Sequence, residues 1–288
     1  FPNPEEPGAL DLALALAREV GADVVIANDP DGDRLAVAVP DVGASGGWRP
    51  LSGDQVGSLL GDYALARTAA DPGRGRRLVA ASIVSSTMLA RIAAAAGAHF
   101  EATLTGFKWI VRAGAGIAGA RFVFGYEEAL GYSIGTVVRD KDGLGAALAF
   151  LGLLTEARSR GQSVLDVLDG LESRHGVHLT SQLSIGSASP GDSMALLRSA
   201  PPETIGGHAV NRSEDLSTGG TGLPPADVLI YWLDGARIIV RPSGTEPKLK
   251  VYFEVVSPVR TTLPLTRAKA GDELAAIRRG VEELLHAR

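Results

Sequence analysis

Residues 77–104 read RLVAASIVSSTMLARIAAAAGAHFEATL, and this stretch decides the fold class. Residues 77–84 predict a buried strand, 85–96 a helix entered through Ser85, Ser86 and Thr87, and 99–104 a second strand. The three hydroxyls at the helix entrance read as caps for its first N–H groups. Strand–helix units in succession argue for a parallel α/β sheet, whose ligands bind beyond the carboxyl ends of the strands. Working outward, residues 53–70 predict a helix whose early Asp54 suits the dipole. Residues 105–108 form a turn that leads into a helix reaching about residue 118, and 121–125 (RFVFG) a third strand ending at 126–132 (YEEALGY). Helices over 144–161 and 163–173 close this α/β region, which spans 45–180.

Two motifs project from strand ends here. Lys108 lies in the turn after the second strand, and the Glu127–Glu128 pair lies after the third. A cation and carboxylates on neighbouring strand ends suit a phosphorylated polyol, with Lys on phosphate and Glu on hydroxyls. The segment 138–144 (VRDKDGL) is a charged loop that opens the next helix with an acidic N-cap.

Toward the N-terminus, residues 8–20 place Leu12, Ala13, Leu16 and Val20 near one face of a helix, followed by strands over 24–27 and 34–39. Between those strands runs 28–34 (NDPDGDR). Asp29, Asp31 and Asp33 at alternate positions of a tight loop repel one another unless a cation neutralises them, and an oxygen-only set suits Mg²⁺. Arg34, next in sequence, can hold a phosphate or orient the loop. An EF-hand requires Gly at the sixth position and Glu at the twelfth, where this chain has Arg34 and Pro40. A haloacid-dehalogenase-type loop, with Asp29 as nucleophile, normally has Thr or Val after the Gly, where Asp33 stands. A solvated acidic turn is the plain alternative.

From about residue 181 the pattern becomes α+β. Strands are expected over 181–185, 228–232 and 236–240, with a hairpin turn at Asp234-Gly235 and helices over 193–199 and 268–286. Residues 211–225 (NRSEDLSTGGTGLPP) read as a mobile loop. His175 and His178 have no third ligand nearby and read as part of a connector rather than a metal pair. Between strand-like runs at 236–240 and 249–255 lies 241–248 (RPSGTEPK). Arg241 offers a planar fork of donors to phosphate, Ser243 and Thr245 add hydroxyls, and Gly244 lets backbone N–H groups approach an anion, with Lys248 at the far rim. An ordinary hairpin turn would not need both cations.

The composition of the 288 residues bounds the function further. Hydrophobic residues make up 45% of the chain, no apolar run is long enough for a membrane span, and the net charge of −5 gives a nucleic-acid partner no electrostatic support. Cysteine is absent, which excludes disulfides and thiolate metal sites and fits a reducing, cytoplasmic compartment. The first residues, FPNPEE, resemble no targeting signal and read as the interior of a longer polypeptide.

Five motifs, NDPDGDR, TGFK, YEEALGY, RDKDG and RPSGTEPK, occur in the order found in α-D-phosphohexomutases, and the chain resembles these phosphoglucomutase/phosphomannomutase enzymes along essentially its whole length. The resemblance implies an α/β fold of mixed sheets flanked by helices with a C-terminal α+β phosphate-binding domain. It divides the chain into the latter part of domain 2 (1–44), domain 3 (45–180) and domain 4 (181–288). It implies an isomerase that interconverts sugar 1- and 6-phosphates through a sugar 1,6-bisphosphate and an enzyme phosphoserine. It assigns Asp29, Asp31 and Asp33 to Mg²⁺ and Arg34 and Lys141 to the phosphoryl group. Thr105, Gly106, Lys108, Glu127 and Glu128 fall to the sugar, and Arg241, Ser243, Gly244, Thr245 and Lys248 to a distal phosphate. Two departures stand out. The family's active-serine motif is absent from these residues, so the nucleophile is expected on a domain outside them. Leu130 replaces a Ser found in many relatives, and YEEALGY looks more like a branch that includes phosphopentomutases and sugar-bisphosphate synthases. Glucose, mannose and pentose phosphates all stay open as substrates. The alternatives are a non-catalytic phosphosugar-binding protein and a phosphatase that uses Asp29 as nucleophile.

Overall fold

The computed structural model describes residues 3–71, 75–186, 189–220, 222–244 and 246–286. The chain forms two compact units, Phe1–Leu171 and Glu172–Arg288, and among the described residues no helix is long and apolar enough to cross a membrane.

The first unit opens with α1 (Asp11–Val20), stopped by Gly21 in the left-handed conformation. The antiparallel strands β1 (Val25–Ala27), β2 (Ala36–Pro40) and β3 (Trp48–Pro50) follow. The helix turns inward on Ala17 and the half-buried Leu14, while Leu12, Leu16 and Val20 are exposed. The apolar face expected from spacing is thus the outward one, because the short sheet offers a surface only to the side carrying the smaller residues.

A second sheet carries the middle of the chain. α2 (Gly53–Arg67) starts at a reciprocal capping box between Ser52 and Gln55. β4 (Arg76–Ser82), α3 (Met88–Ala95), β5 (His99–Thr103), the single turn α4 (Phe107–Ile110), β6 (Ala120–Glu127) and β7 (Gly131–Ile134) follow. The strand order is β5-β4-β6-β7, with β4 parallel to both neighbours and β7 antiparallel to β6. β4 shows why it sits at the centre. Val79 and Ala81 point into the large core beneath α2 and α3, while Leu78 and Ala80 point into a smaller cluster with Phe107 and Ile110. That period-two alternation, apolar on both faces, is what a covered central strand requires. α5 (Gly143–Ser159), capped by Asp142, and α6 (Val164–His175) complete the elements.

Three sequence expectations change here. The helix expected to run to residue 118 is one turn: from Arg112 on the backbone closes turns between residues three apart, and Gly114 and Gly119 take positive φ, which a continuing helix does not allow. The helix expected from residue 85 starts at Met88. The strand expected to end at YEEALGY instead turns back there: Glu128–Leu130 form a hairpin loop into β7, a strand the sequence reading does not include.

The second unit is an antiparallel sheet in the order β11-β12-β13-β14-β8. Its elements are β8 (Val177–Gly186), α7 (Pro190–Ser199), a short hairpin of β9 (Thr204–Ile205) and β10 (His208–Ala209), β11 (Arg212–Asp215), β12 (Leu229–Leu233), β13 (Ala236–Pro242), β14 (Lys248–Ser257) and α8 (Leu263–His286). Ile238 and Val240 of β13 and Val251 and Phe253 of β14 meet Met194, Leu197, Ala270 and Ile277 of the helices in one core. The stretch expected as a mobile loop supplies edge strand β11, with Asp215 ion-paired to Arg198 at 2.9 Å. His178 is no connector residue. It lies buried in β8, 3.0 Å from Glu254, whose other oxygen takes Arg237 Nε at 2.7 Å.

Candidate active site

Four of the five sequence motifs converge in the first unit. The acidic loop folds back on itself: Asn28 Nδ2 donates to the Arg34 carbonyl at 2.7 Å and Gly32 N–H to the Asp29 carbonyl at 2.9 Å. Arg34 bridges Gly131 of β7 in an antiparallel pair, and Leu35 N–H donates to the Leu130 carbonyl at 3.0 Å. The acidic loop is therefore held directly against the YEEALGY hairpin. RDKDG closes on it from the other side. Lys141 Nζ lies 3.2 Å from Asp33 Oδ2 and 5.6 Å from the centre of the Phe107 ring, which belongs to TGFK. A Cβ on Gly143 would fall 2.4 Å from the Arg34 carbonyl oxygen, so this contact exists only with glycine.

The charges are arranged in pairs. Arg34 donates from its backbone N–H to Asp29 Oδ1 at 3.1 Å and from Nε to Oδ2 at 2.7 Å, with Nη1 3.2 Å from Asn3 Oδ1. Burial pushes the Asp29 carboxyl up, but the hydrogen bonds and charge of Arg34 more than offset it and hold the group below the usual range. Burial lowers the Lys141 ammonium, and Asp33, Glu127 and Asp140 together raise it above its ordinary value. Glu127 is displaced most. Burial and the neighbouring Glu128 carboxylate push it to about 7 against the pull of Lys141, with smaller upward contributions from Asp140 and Asp33.

The hairpin loop has an unusual backbone. Glu127 pairs with Gly131, leaving Glu128, Ala129 and Leu130 as a three-residue connection. Leu130 has φ +63°, alone among non-glycine residues with described geometry. The third position of such loops takes the left-handed conformation, ordinarily with glycine. The strain costs a non-glycine residue about 1–2 kcal/mol. The Leu130 side chain is 4% exposed within the large core, and burying a leucine contributes about 1.5–3 kcal/mol. Burial outweighs the strain, which lets Leu occupy the left-handed position.

Glu128 is anchored from below. Its Oε2 accepts from Ser82 Oγ at 3.0 Å and from Ser85 Oγ at 3.2 Å, and its N–H donates to Ser85 Oγ at 3.1 Å. Ser85 is therefore not a helix cap. Ser86 does act locally on α3, its Oγ accepting from Met88 N–H at 3.1 Å. Asp54, read as a dipole partner, instead accepts from Ser86 N–H at 2.7 Å and from Tyr126 OH at 2.9 Å. Ser82 could have been found from the sequence as the polar residue inside an apolar strand; Tyr126 and Asp54 carry no such signal.

The assigned metal ligands form no cluster as they stand. Among the described residues no group of three or more His, Asp or Glu side chains is placed to hold a metal ion. Asp31 is exposed, Asp33 faces Lys141, and both oxygens of Asp29 face Arg34. The donor chemistry, carboxylates alone on one loop, fits a hard cation; Asp29 joins such a set only if Arg34 releases it. Of the sugar-site residues, Thr105 and Gly106 sit at the end of β5 as expected, with Gly106 at φ +107°. Lys108 is exposed, its ammonium 5.5 Å from the Trp109 ring centre, and is not drawn into the ion-pair cluster.

In the second unit the RPSGTEPK turn joins β13 to β14, with Ser243 N–H donating to the Lys248 carbonyl at 2.8 Å. Arg241 Nη2 donates to Tyr252 OH at 3.1 Å and Nη1 to the Pro242 carbonyl at 3.3 Å, with the guanidinium 5.7 Å from the Tyr252 ring centre. Arg241 Nε is buried and has no hydrogen-bond partner among the described residues. Lys248 pairs with Glu246. Gly244 lies at the tip with open space where a Cβ would be. Thr245 lies outside the described residues.

Comparison with known proteins agrees with this arrangement. Phosphoglucomutase/phosphomannomutase family models match three segments: α/β/α domain II over residues 1–44, α/β/α domain III over 52–173 and the C-terminal domain over 204–262. The chain belongs to this family, the α-D-phosphohexomutases. It is 43% identical over 260 residues to a probable phosphomannomutase of Haemophilus influenzae, a match covering 88% of this chain and 50% of that protein. It is 33% identical over 301 residues to a phosphopentomutase of Mus musculus, covering 95% and 48%. The fold matches the open form of the Paramecium phosphoglucomutase parafusin at a TM-score of 0.68 and 19% identity, over 100% of this chain and 51% of that one. The chain spans about half the length of the curated relatives it matches.

Proposed function

We propose that this chain carries the metal-binding, sugar-reading and phosphate-binding parts of a cytoplasmic sugar phosphate mutase of carbohydrate metabolism, divided as domains at 1–44, 45–180 and 181–288. The observation that carries the reading is the joining of four motifs around Lys141 and Arg34, through the Asp33 ion pair at 3.2 Å and the Arg34–Gly131 bridge. In the proposed reaction a phosphoserine outside these 288 residues gives its phosphoryl group to a hydroxyl of a sugar monophosphate. The P–O bond to serine breaks as the bond to the sugar oxygen forms, the sugar hydroxyl's proton ends on the released serine oxygen, and a sugar 1,6-bisphosphate results. The bisphosphate reorients and returns its other phosphoryl group to the serine, so phosphate is conserved.

This chain's residues bind and orient the ligand. Glu128 accepts hydrogen bonds from sugar hydroxyls, with Glu127, Thr105, Gly106 and Lys108 beside it. Arg34 and Lys141 supply positive charge to the phosphoryl group in transfer. Arg241, Ser243, Gly244, Thr245 and Lys248 bind a phosphate. Asp29, Asp31 and Asp33 would hold Mg²⁺, which makes phosphorus more electrophilic. The reading of Asp29 as a phosphatase nucleophile has less support, since that carboxylate is buried with both oxygens on Arg34. The names of the relatives favour a mannose, glucose or pentose phosphate.

Calorimetric titration with glucose 1,6-bisphosphate, ribose 1,5-bisphosphate and free glucose in the presence of Mg²⁺ tests the proposal. A sugar bisphosphate is expected to bind and free glucose is not; a folded chain that binds no phosphosugar overturns the reading. The 288 residues alone are expected to convert no glucose 1-phosphate to 6-phosphate. Turnover above a no-enzyme control would refute the placement of the nucleophile elsewhere.

A further inference from the structure

We propose that Ser82 and Ser85, held in place by Asp54, are positioning residues that fix the Glu128 carboxylate for the hydroxyl groups of a phosphosugar. The inference rests on the reading of Glu128 as the group that accepts from those hydroxyls.

The two serine hydroxyls and Glu128 Oε2 form a triangle, with Oγ atoms 2.8 Å apart and each within 3.2 Å of the carboxylate oxygen. Two hydroxyls carry two protons, so three contacts cannot all be hydrogen bonds at once. The charged oxygen is the stronger acceptor and draws both protons. Ser85 Oγ is then left to accept the Glu128 N–H, which locks backbone and side chain of Glu128 to the same atom. Both serines are almost wholly buried, at 3% and 1% exposure, so the arrangement belongs to the fold and not to a mobile surface. Fixing Oε2 fixes the plane of the carboxylate, and with it the direction in which Oε1 meets a ligand.

A second layer holds the serines. Asp54, 7% exposed at the start of α2, grips the turn after β4 through Ser86 N–H and grips β6 through Tyr126 OH. Glu128 follows two residues after Tyr126, and its carbonyl oxygen would lie 1.9 Å from a Cβ on Gly53. One helix start therefore sets both the serine turn and the carboxylate it serves. A purely structural network would have no need of Glu128, because the hydroxyls could bond each other and bringing a carboxylate against the core costs free energy. The arrangement is explained if the orientation of that carboxylate matters.

The test is calorimetry with glucose 1,6-bisphosphate and its 3-deoxy and 4-deoxy analogues, on wild type, the double variant Ser82→Ala/Ser85→Ala, and Glu128→Gln. Wild type is expected to bind the parent ligand roughly tenfold more tightly than the deoxy analogue whose missing hydroxyl Glu128 reads. The double variant should lose that discrimination and bind the parent roughly tenfold more weakly, while its affinity for that analogue stays near wild type. A merely structural defect would weaken all three ligands alike, and that result overturns the positioning role. If Glu128→Gln weakens the parent ligand while the double variant matches wild type, the positioning inference alone falls. If Glu128→Gln leaves affinity and discrimination untouched, the reading of Glu128 falls with it. Should the double variant fail to fold, Ser85→Ala, which retains the Ser82 donor, is judged on the same affinity ratio.

Discussion

Arg34 and Arg241 both stand at the edge of a motif loop, one in each unit, and their surroundings differ in one respect. Arg34 meets a carboxylate: Asp29 takes both its backbone N–H and its Nε within 3.1 Å. Among the described residues Arg241 meets only neutral groups, the Tyr252 hydroxyl and ring and the Pro242 carbonyl, and its buried Nε has no hydrogen-bond partner there. A half-buried cation with no counter-ion among the described residues is costly to hold, which suits the anion that the proposed function gives Arg241. In the first unit the cations already meet the protein's own carboxylates, Arg34 on Asp29 and Lys141 on Asp33, so under the proposed function a ligand there would exchange partners with them. On the proposed function, the first unit would work by exchange and the second by capture.

The comparison breaks most visibly if the packing of the first unit is disturbed. Gly53 is the first residue of α2, where replacing glycine by alanine lowers the conformational freedom of the unfolded chain and, without a clash, would favour the fold. Its Cβ would fall 1.9 Å from the Glu128 backbone oxygen, and overpacking of that kind costs about 1–3 kcal/mol. The clash should win, giving a net loss of stability in urea denaturation; a stabilised variant would show that the α2 start does not brace the Glu128 loop. Next in size, Asp31→Asn should lower Mg²⁺ affinity roughly tenfold or more, the scale on which even outer-shell changes act. Because the exposed Asp31 carboxylate holds no core contact, the melting temperature without metal should stay the same or rise. Calorimetry with MgCl₂ that shows equal affinity would reduce the loop to an acidic turn.

The smallest effect sharpens the electrostatic side. Glu127 titrates near 7 in the fold, above its ordinary value of 4.5, chiefly because it is buried. Its contribution to stability is complete below about 4.5 and is lost as pH rises through about 7. Glu127→Gln cannot ionise, so its stability relative to wild type should improve between pH 5 and pH 8. Denaturation at the two pH values that shows no such change would mean that Lys141 already neutralises Glu127 in full.

Much of this was legible in the chain itself. Residues 77–84 announce a central strand by being apolar on both faces, and NDPDGDR and RPSGTEPK announce charged loops by residue type and spacing. What stayed hidden depends on contacts between distant residues. No local pattern reveals that Asp54 reaches Ser86 and Tyr126, or that Ser85 serves a carboxylate 43 positions away. β7 is not legible because a three-residue hairpin with Leu at the left-handed position lacks the glycine that normally marks it. The helix 8–20 is legible, but spacing defines only a face, and the neighbouring sheet decides which face is covered.

Arg241→Ala puts the contrast between exchange and capture to its most direct test. Titration calorimetry with glucose 1,6-bisphosphate should show a loss of about 2–5 kcal/mol in binding, the cost of removing a desolvated charged contact. Thermal stability should be little changed, because the side chain bonds only neutral groups at the rim of a turn. Equal affinity of wild type and Arg241→Ala would contradict the account, leaving the buried Nε without an anion to meet.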